Sequence, residues 1–413
     1  MLKNHQDYVK KIGVFLFQIY IVMTFFAQDV LLPSVLGTIS LYAFVGWQIF
    51  TIMLYGRRLP RKRDYTIWYA GFMVLCLFSM IGSPETGIFT GTYYHLIVNL
   101  VLLSLIASLL PGTGALNRIF WTYSLTSGLF VLVLILRGLT ADLDHRFGAE
   151  LFGNQNVFAA MIMFAIVYTF WLLTNEGKGI VKKLILIAVI VLDYYALFLS
   201  GGKKYIMIPV IFLYLALLFR SGKPTRKHFF KTTFFFVVVA VFAYILMTRI
   251  PLFYNIIGIR LESFLNFLLG KGENYDSSDV VRLNMIRLGL EHWLERPILG
   301  HGFDSFKHYN LKMTERYFYY SHNNFVEMLH NHGIVGFAYY YGYYVFLLLR
   351  CRRRIGKDRK PNVFIIASVI SLLLYEISVV SYFETNVQMW LLFVYLASTG
   401  ELSKPEKGRN GVI

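Results

Sequence analysis

The stretch SHNNFVEMLHNHGIVGFAYYYGYYVFLLL, residues 321–349, decides the class of this protein, because polar side chains open a segment long enough to cross a membrane. About 20 mostly apolar residues in a helix span the hydrocarbon core of a bilayer. Such runs recur along the whole chain, of whose 413 residues 57% are hydrophobic and only 15% charged. They fall near residues 12–28, 33–55, 66–82, 93–110, 119–139, 156–174, 182–199, 204–219, 229–248, 324–349, 363–381 and 386–399. The expected fold class is therefore all-α: a polytopic integral membrane protein of about 12 transmembrane helices, forming a single membrane domain over 1–413. The first run lacks a small-residue cleavage site and is followed directly by a second span, so it reads as part of the bundle.

Lysine and arginine fix the expected orientation, since cytoplasmic loops retain positive charge. With the N terminus inside, 27 of the 40 basic residues face the cytoplasm, both termini included, and 13 face out. Nine of those 13 lie in the long segment 249–322, leaving Arg137, Arg146, Lys203 and Lys204 in the short outer loops. The net charge of +17 is thus mainly a topology signal, and nucleic-acid binding is not expected. Cys76 and Cys351 sit at different expected depths, so neither a disulfide nor a zinc site follows.

A cation that violates the charge bias needs a reason. Either it holds an anion such as a phosphate, or it snorkels to lipid headgroups. The long outer loop, 249–322, is the segment large enough to form structure of its own. Ser277, Ser278 and Asp279 are N-cap candidates, and Val281, Met285, Leu288 and Trp293 recur at helical spacing, giving an amphipathic helix over about 279–295 that ends before Pro297. The turn PILGHGFDSF, 297–306, follows, with Gly300 and Gly302 allowing tight backbone. Asp193 and Glu376 are acids inside apolar runs, where such residues act in function or are paired. They carry a rival reading, a transporter of polysaccharide or lipid-linked sugar. Against it, the halves show no repeat and no pair of Gly/Pro-broken helices at corresponding positions. The aromatics of RYFYYSHNN, 316–324, suit either sugar stacking or an interfacial belt.

Taken in order, RFGAELFGNQNVFAAMI (146–162), LSGGKKYIM (199–207), the arginine-led ERPILGHGFDSF (295–306) and SHNNFVEMLHNHGIVG (321–336) resemble the signature of the O-antigen ligase and Wzy-type polymerase superfamily. The resemblance covers about residues 120 to 350. It departs from the family pattern at Lys203, where the family's Thr-Gly-Ser-Arg turn has arginine, and at Asn331, where many members carry an acid. A lysine is a point charge and cannot make the bidentate fork of arginine to phosphate.

The resemblance implies a glycosyltransferase without metal or cofactor at the outer face of the bacterial plasma membrane. It would join oligosaccharides carried on undecaprenyl diphosphate to a glycan acceptor. A polymerase accepts another lipid-linked repeat unit, for capsule or exopolysaccharide; a ligase accepts lipid A core, a wall polymer or protein. The lysine- and tyrosine-rich composition resembles that of Gram-positive members and favours the polymerase. Membrane lipid, a flippase and a chain-length regulator are the expected partners. His322 falls on the family's His-Asn element and is the expected base, its neutral form favoured by a place in the first helical turn. Arg282, Lys203, Lys204, Arg146 and Arg260 are the expected diphosphate ligands, supported by Asn323, Asn156, Gly300 and Gly302. His330 and His332 lie deeper and read as packing or hydrogen-bonding residues.

Overall fold

The computed structural model describes residues 2–55, 63–81, 91–139, 146–175, 179–220, 224–251, 254–259, 262–263, 277–314, 319–352 and 359–402. Every element among them is helical. In chain order these are α1 (Leu2–Phe26), α2 (Val35–Tyr55), α3 (Asp64–Met80), α4 (Gly91–Leu109), α5 (Leu116–Leu136), α6 (Ala149–Phe152), α7 (Gln155–Asn175), α8 (Ile180–Ser200), α9 (Lys203–Phe219) and α10 (Arg226–Arg249). A π-helical turn at Tyr254–Gly258 leads into the loop region, then come α11 (Ser277–Trp293), α12 (Phe306–Thr314), α13 (Asn324–Arg352), α14 (Arg359–Glu376) and α15 (Thr385–Ser398).

Each of the twelve apolar runs forms a helix, because in hydrocarbon only a helix or a closed barrel satisfies every backbone N–H and C=O. Eight are long and apolar enough to cross a membrane: Asp7–Phe26, Val35–Tyr55, Gly91–Leu109, Leu116–Leu136, Gln155–Asn175, Ile180–Ser200, Arg226–Ile245 and Asn324–Cys351. The other four, α3, α9, α14 and α15, are shorter, at 17, 17, 18 and 14 residues. The centre of the bundle is α7, buried over most of Phe158–Leu172, and α15, buried from Val387 to Ser398. By contrast α10 exposes Phe230, Phe234, Val238 and Phe242 along its length, an apolar surface suited to lipid as its solvent.

The loop helix α11 begins and ends two residues before the expected 279–295 and packs on α13 through buried Met285 and through Gly289, which lies against Val326 and Phe306. A second loop helix, α12, was not foreseen. Its first N–H, from Phe306, is satisfied by the Asn331 side chain at 3.1 Å, a bond across sequence that no local pattern announces.

The expectation of a continuous span over 324–349 requires correction. Helix α13 is broken at Gly333, whose φ of 60° and ψ of −165° are non-helical. The turn 297–302 occupies the break. His301 and Gly302 donate N–H to the carbonyls of His330 and Asn331 at 2.9 Å each, and Ile334 and Val335 donate to the carbonyls of Pro297 and Ile298 at 2.9 and 3.2 Å. The loop before α13 thereby supplies hydrogen bonds that the interrupted helix cannot make for itself. Two glycines make the approach feasible. A Cβ on Gly300 would lie 2.5 Å from the Gly333 nitrogen, and one on Gly333 would lie 2.3 Å from the Ile298 oxygen. A Gly333→Ala variant should therefore lose stability by more than the ~1–3 kcal/mol of a left-handed non-glycine residue alone. Its melting temperature in detergent is expected to fall well below wild type. Gly342→Ala in the same helix, where a Cβ meets nothing within 4 Å, should melt like wild type.

Candidate functional site

The polar residues that open α13 are used one by one. Asn323 is its N-cap: its Oδ1 accepts the N–H of Phe325 and Val326 at 3.0 and 3.1 Å, and its Nδ2 donates to the Ile377 carbonyl at 3.0 Å. Asn324 ties α13 to the turn before α15, its Oδ1 accepting the N–H of Ser381 and Tyr382 and its Nδ2 donating to the Tyr341 hydroxyl. Ser321 closes a tight loop by donating to the Asn323 carbonyl at 2.8 Å, and its own N–H is held by buried Glu327 at 2.9 Å. Glu327 also accepts from Asn331 Nδ2 at 3.3 Å, and Asn331 Oδ1 accepts from Ser305 at 3.1 Å. A chain of buried hydrogen bonds thus runs from the loop of Ser321 to the glycine turn.

His322 sits between these clamps with φ of 55°, a left-handed conformation that a non-glycine residue adopts only when its surroundings impose it. It precedes the N-cap, so the expected place in the first helical turn is corrected. Its proton affinity is set otherwise: burial first, then the positive charges of Arg282 and Lys204, hold the imidazole down at about 4.

A cleft of about 530 Å³ opens beside it, lined by His322, Arg282, Lys204, Asn156, Asn154, Tyr320, Tyr375 and Glu384 among others. Its walls come from one end of several helices. His95 lies one turn into α4, Asn154 and Asn156 flank the start of α7, Lys204 lies in the first turn of α9, His322 precedes α13 and Thr385 opens α15. Helix N-termini carry partial positive charge and unbonded N–H groups, and the N-cap residue Gly202 has no side-chain cap bond. Their convergence, with Arg282 and Lys204, makes a pocket for an anion.

Of the expected site residues, the structure brings together His322, Arg282, Lys204 and Asn156. Asn323 acts through the cap. Lys203 starts α9 but does not line the cleft; one helical step directs Lys204 there, where its Nζ donates to the Ser378 carbonyl at 2.9 Å and lies 5.0 Å from the Tyr205 ring. Arg146 likewise is not on the cleft wall, and its carbonyl holds the N–H of Ala149 at the start of α6. Arg260 lies outside the described residues. Gly300 and Gly302 serve the mended break, not the cleft.

Glu384, Tyr375, His95 and Asn154 belong to the cleft and were missed in the sequence. Glu384 and Tyr375 lie about 40 to 50 residues beyond the motif that ends at Gly336, and only the fold returns them. The internal acids prove paired with hydroxyls. Asp193 accepts from Ser127 at 2.8 Å, and Glu376 accepts from Tyr344 and Ser381 at 2.8 and 2.9 Å. His330 bonds His292 at 2.8 Å, and His332 bonds Ser79 at 3.0 Å. His292, Glu295 and His301 each bring a ligand atom within 4.8 Å of the others. The rings of His292 and His301 are stacked, however, 3.7 Å apart at 15°, so their in-plane lone pairs run side by side instead of converging on an ion. A larger hollow of about 750 Å³ between α3 and the turn 296–301 is walled by Val74, Phe78, Ile298 and Leu299.

The lowered proton affinity of His322 has a sign that can be checked. Between the ordinary histidine value near 6.5 and about 4, the unfolded chain binds the proton and the folded chain does not, so this group subtracts stability as pH falls through that window. Histidine carbon NMR, with His322→Ala to assign the signal, should find its titration near 4. Arg282→Gln should move it toward 6.5; an unmoved signal would show that the guanidinium does not act on the ring.

Residues 186–341 match the family model described as O-antigen ligase. A search of curated proteins found no match. The matched span contains Lys204, Arg282 and His322 of the cleft, together with the glycine turn and the break at Gly333; the starts of α4, α7 and α15 that complete the cleft lie outside it. Residues 186–341 are thus similar to the O-antigen ligase family, in agreement with the O-antigen ligase and Wzy-type superfamily that the motifs resemble.

Proposed function

We propose that the protein is a polysaccharide polymerase. It would join undecaprenyl-diphosphate-linked oligosaccharide repeat units at the outer face of the bacterial plasma membrane, in a twelve-span bundle with both termini inside. The observation that carries this reading is the cleft itself: a neutral histidine beside two cations, all three within the segment matched to O-antigen ligase, and a ring of helix N-termini around them. The matched family implies transfer of a lipid-linked glycan.

In this reading Arg282 and Lys204 hold the diphosphate. The acceptor oxygen attacks the anomeric carbon, the bond from that carbon to the phosphate oxygen breaks, and its electron pair passes to the diphosphate, whose growing charge the two cations and helix ends meet. The acceptor's proton goes to His322. In the empty cleft its imidazole is neutral but a weak base; the incoming diphosphate offsets Arg282 and Lys204 and strengthens it. Single displacement inverts the anomeric carbon. A ligase reading has one specific support, the description of the matched family, and would send the same donor to lipid A core, a wall polymer or protein.

Replacing wild type by His322→Ala in cells should lower polymer synthesis by about 100- to 10,000-fold, the usual worth of a general base. Analysis of lipid-linked intermediates would then show single repeat units for a polymerase and long lipid-linked chains for a ligase. Normal surface polymer from the alanine variant would refute the base assignment.

A further inference from the structure

Among the described residues, Glu384 is the one acidic residue lining a cleft whose other polar walls are cations, amides, imidazoles and hydroxyls. It occupies the N-cap position of α15, yet its side chain makes no cap hydrogen bond. The backbone is pinned on both sides, its N–H donating to Ser381 and its carbonyl accepting from Gln388, each at 3.0 Å. The side chain instead lines the cleft, where Tyr375 donates to Oε2 at 3.4 Å and Lys204 is its charged neighbour. Burial pushes its proton affinity up, and Lys204 restrains that rise.

A negative group beside a diphosphate pocket repels the ligand it borders, so its use lies with an uncharged part of that ligand. Burial raises the proton affinity of Glu384 to about 7, so near neutral pH it is part carboxylate, which accepts hydrogen bonds from adjacent sugar hydroxyls, and part acid, which both accepts and donates. Next to it Phe383 and Tyr320 stand with ring centroids 5.4 Å apart, an apolar wall of the kind against which a sugar ring packs. Lys204 Nζ lies 5.5 Å from the Tyr375 ring and feels the charges of both Glu384 and Arg282.

Resting on the reading of the cleft as a lipid-diphosphate site, we propose that Glu384 binds hydroxyl groups of the sugar joined to the diphosphate, with Phe383 and Tyr320 as its wall. Lys204, whose Nζ rests on the Ser378 carbonyl, meets the phosphate when the lipid-linked sugar enters. Glu384 is thus a specificity residue that distinguishes glycosylated lipid from the bare diphosphate product and favours product release.

The test compares binding of two kinds of probe to the full chain in nanodiscs: undecaprenyl diphosphate, and a panel of undecaprenyl-diphosphate monosaccharides carrying glucose, galactose or N-acetylglucosamine. Wild type should bind at least one glycosylated probe about tenfold tighter than the bare lipid, the worth of one or two hydrogen bonds to a charged group. Glu384→Gln should lose that increment while binding bare undecaprenyl diphosphate at least as tightly, which also shows the variant to be folded. Glu384→Asp should keep part of it. An increment unchanged in Glu384→Gln, or absent from wild type that binds the bare lipid, would overturn the proposal. Wild type that binds neither probe would instead overturn the lipid-diphosphate reading of the cleft.

Discussion

The structure depends on a helix that cannot complete itself. At Gly333 the backbone of α13 leaves the helical path, and the turn from Pro297 to Gly302 fills the gap with four backbone hydrogen bonds. A broken helix deep in a bundle costs several unsatisfied polar groups unless something replaces them, and here the replacement comes from the loop that precedes the helix. The consequence reaches the cleft. Docking of the turn fixes Ser305 and Asn331, Asn331 holds Glu327, and Glu327 holds the loop that forces His322 into its left-handed conformation. The loop helix α11, which carries Arg282, is joined to the same turn and packs on the same helix.

Electrostatics then follow from topology. The cleft is lined where α7, α9, α13 and α15 begin, so their partial charges add to Arg282 and Lys204. The same concentration of positive charge, with burial, keeps His322 unprotonated, and the same charge is what an anionic substrate would neutralise. One arrangement therefore binds the anion and prepares the histidine. Glu384 is the counterweight, a single carboxylate placed where the charge of a diphosphate would be unwelcome and a neutral sugar is not.

Much of this was legible in the sequence because membrane helices announce themselves by length and composition, and each of the twelve apolar runs is a helix. His322, Arg282, Lys204 and Asn156 could be named because ordered motifs and misplaced cations mark them. What could not be read is whatever depends on distant pairing. The break at Gly333 looks like an ordinary glycine until the turn 297–302 is seen inside it. The choice of Lys204 over Lys203 rests on the rotation of α9, while Tyr375 comes from the end of α14 and Glu384 from the last loop, neither of which carries a motif. The expected place of His322 in the first helical turn was missed by a shift of two residues, since Asn323 caps the helix and His322 stands before it.

The central claim, that the cleft holds a lipid diphosphate against His322, is tested most directly by a structure of the protein with undecaprenyl diphosphate bound in nanodiscs. The account predicts headgroup density between Arg282, Lys204 and the start of α9, with His322 facing it. Headgroup density in the apolar hollow between α3 and the turn 296–301, with the cleft of His322 unoccupied, would contradict it.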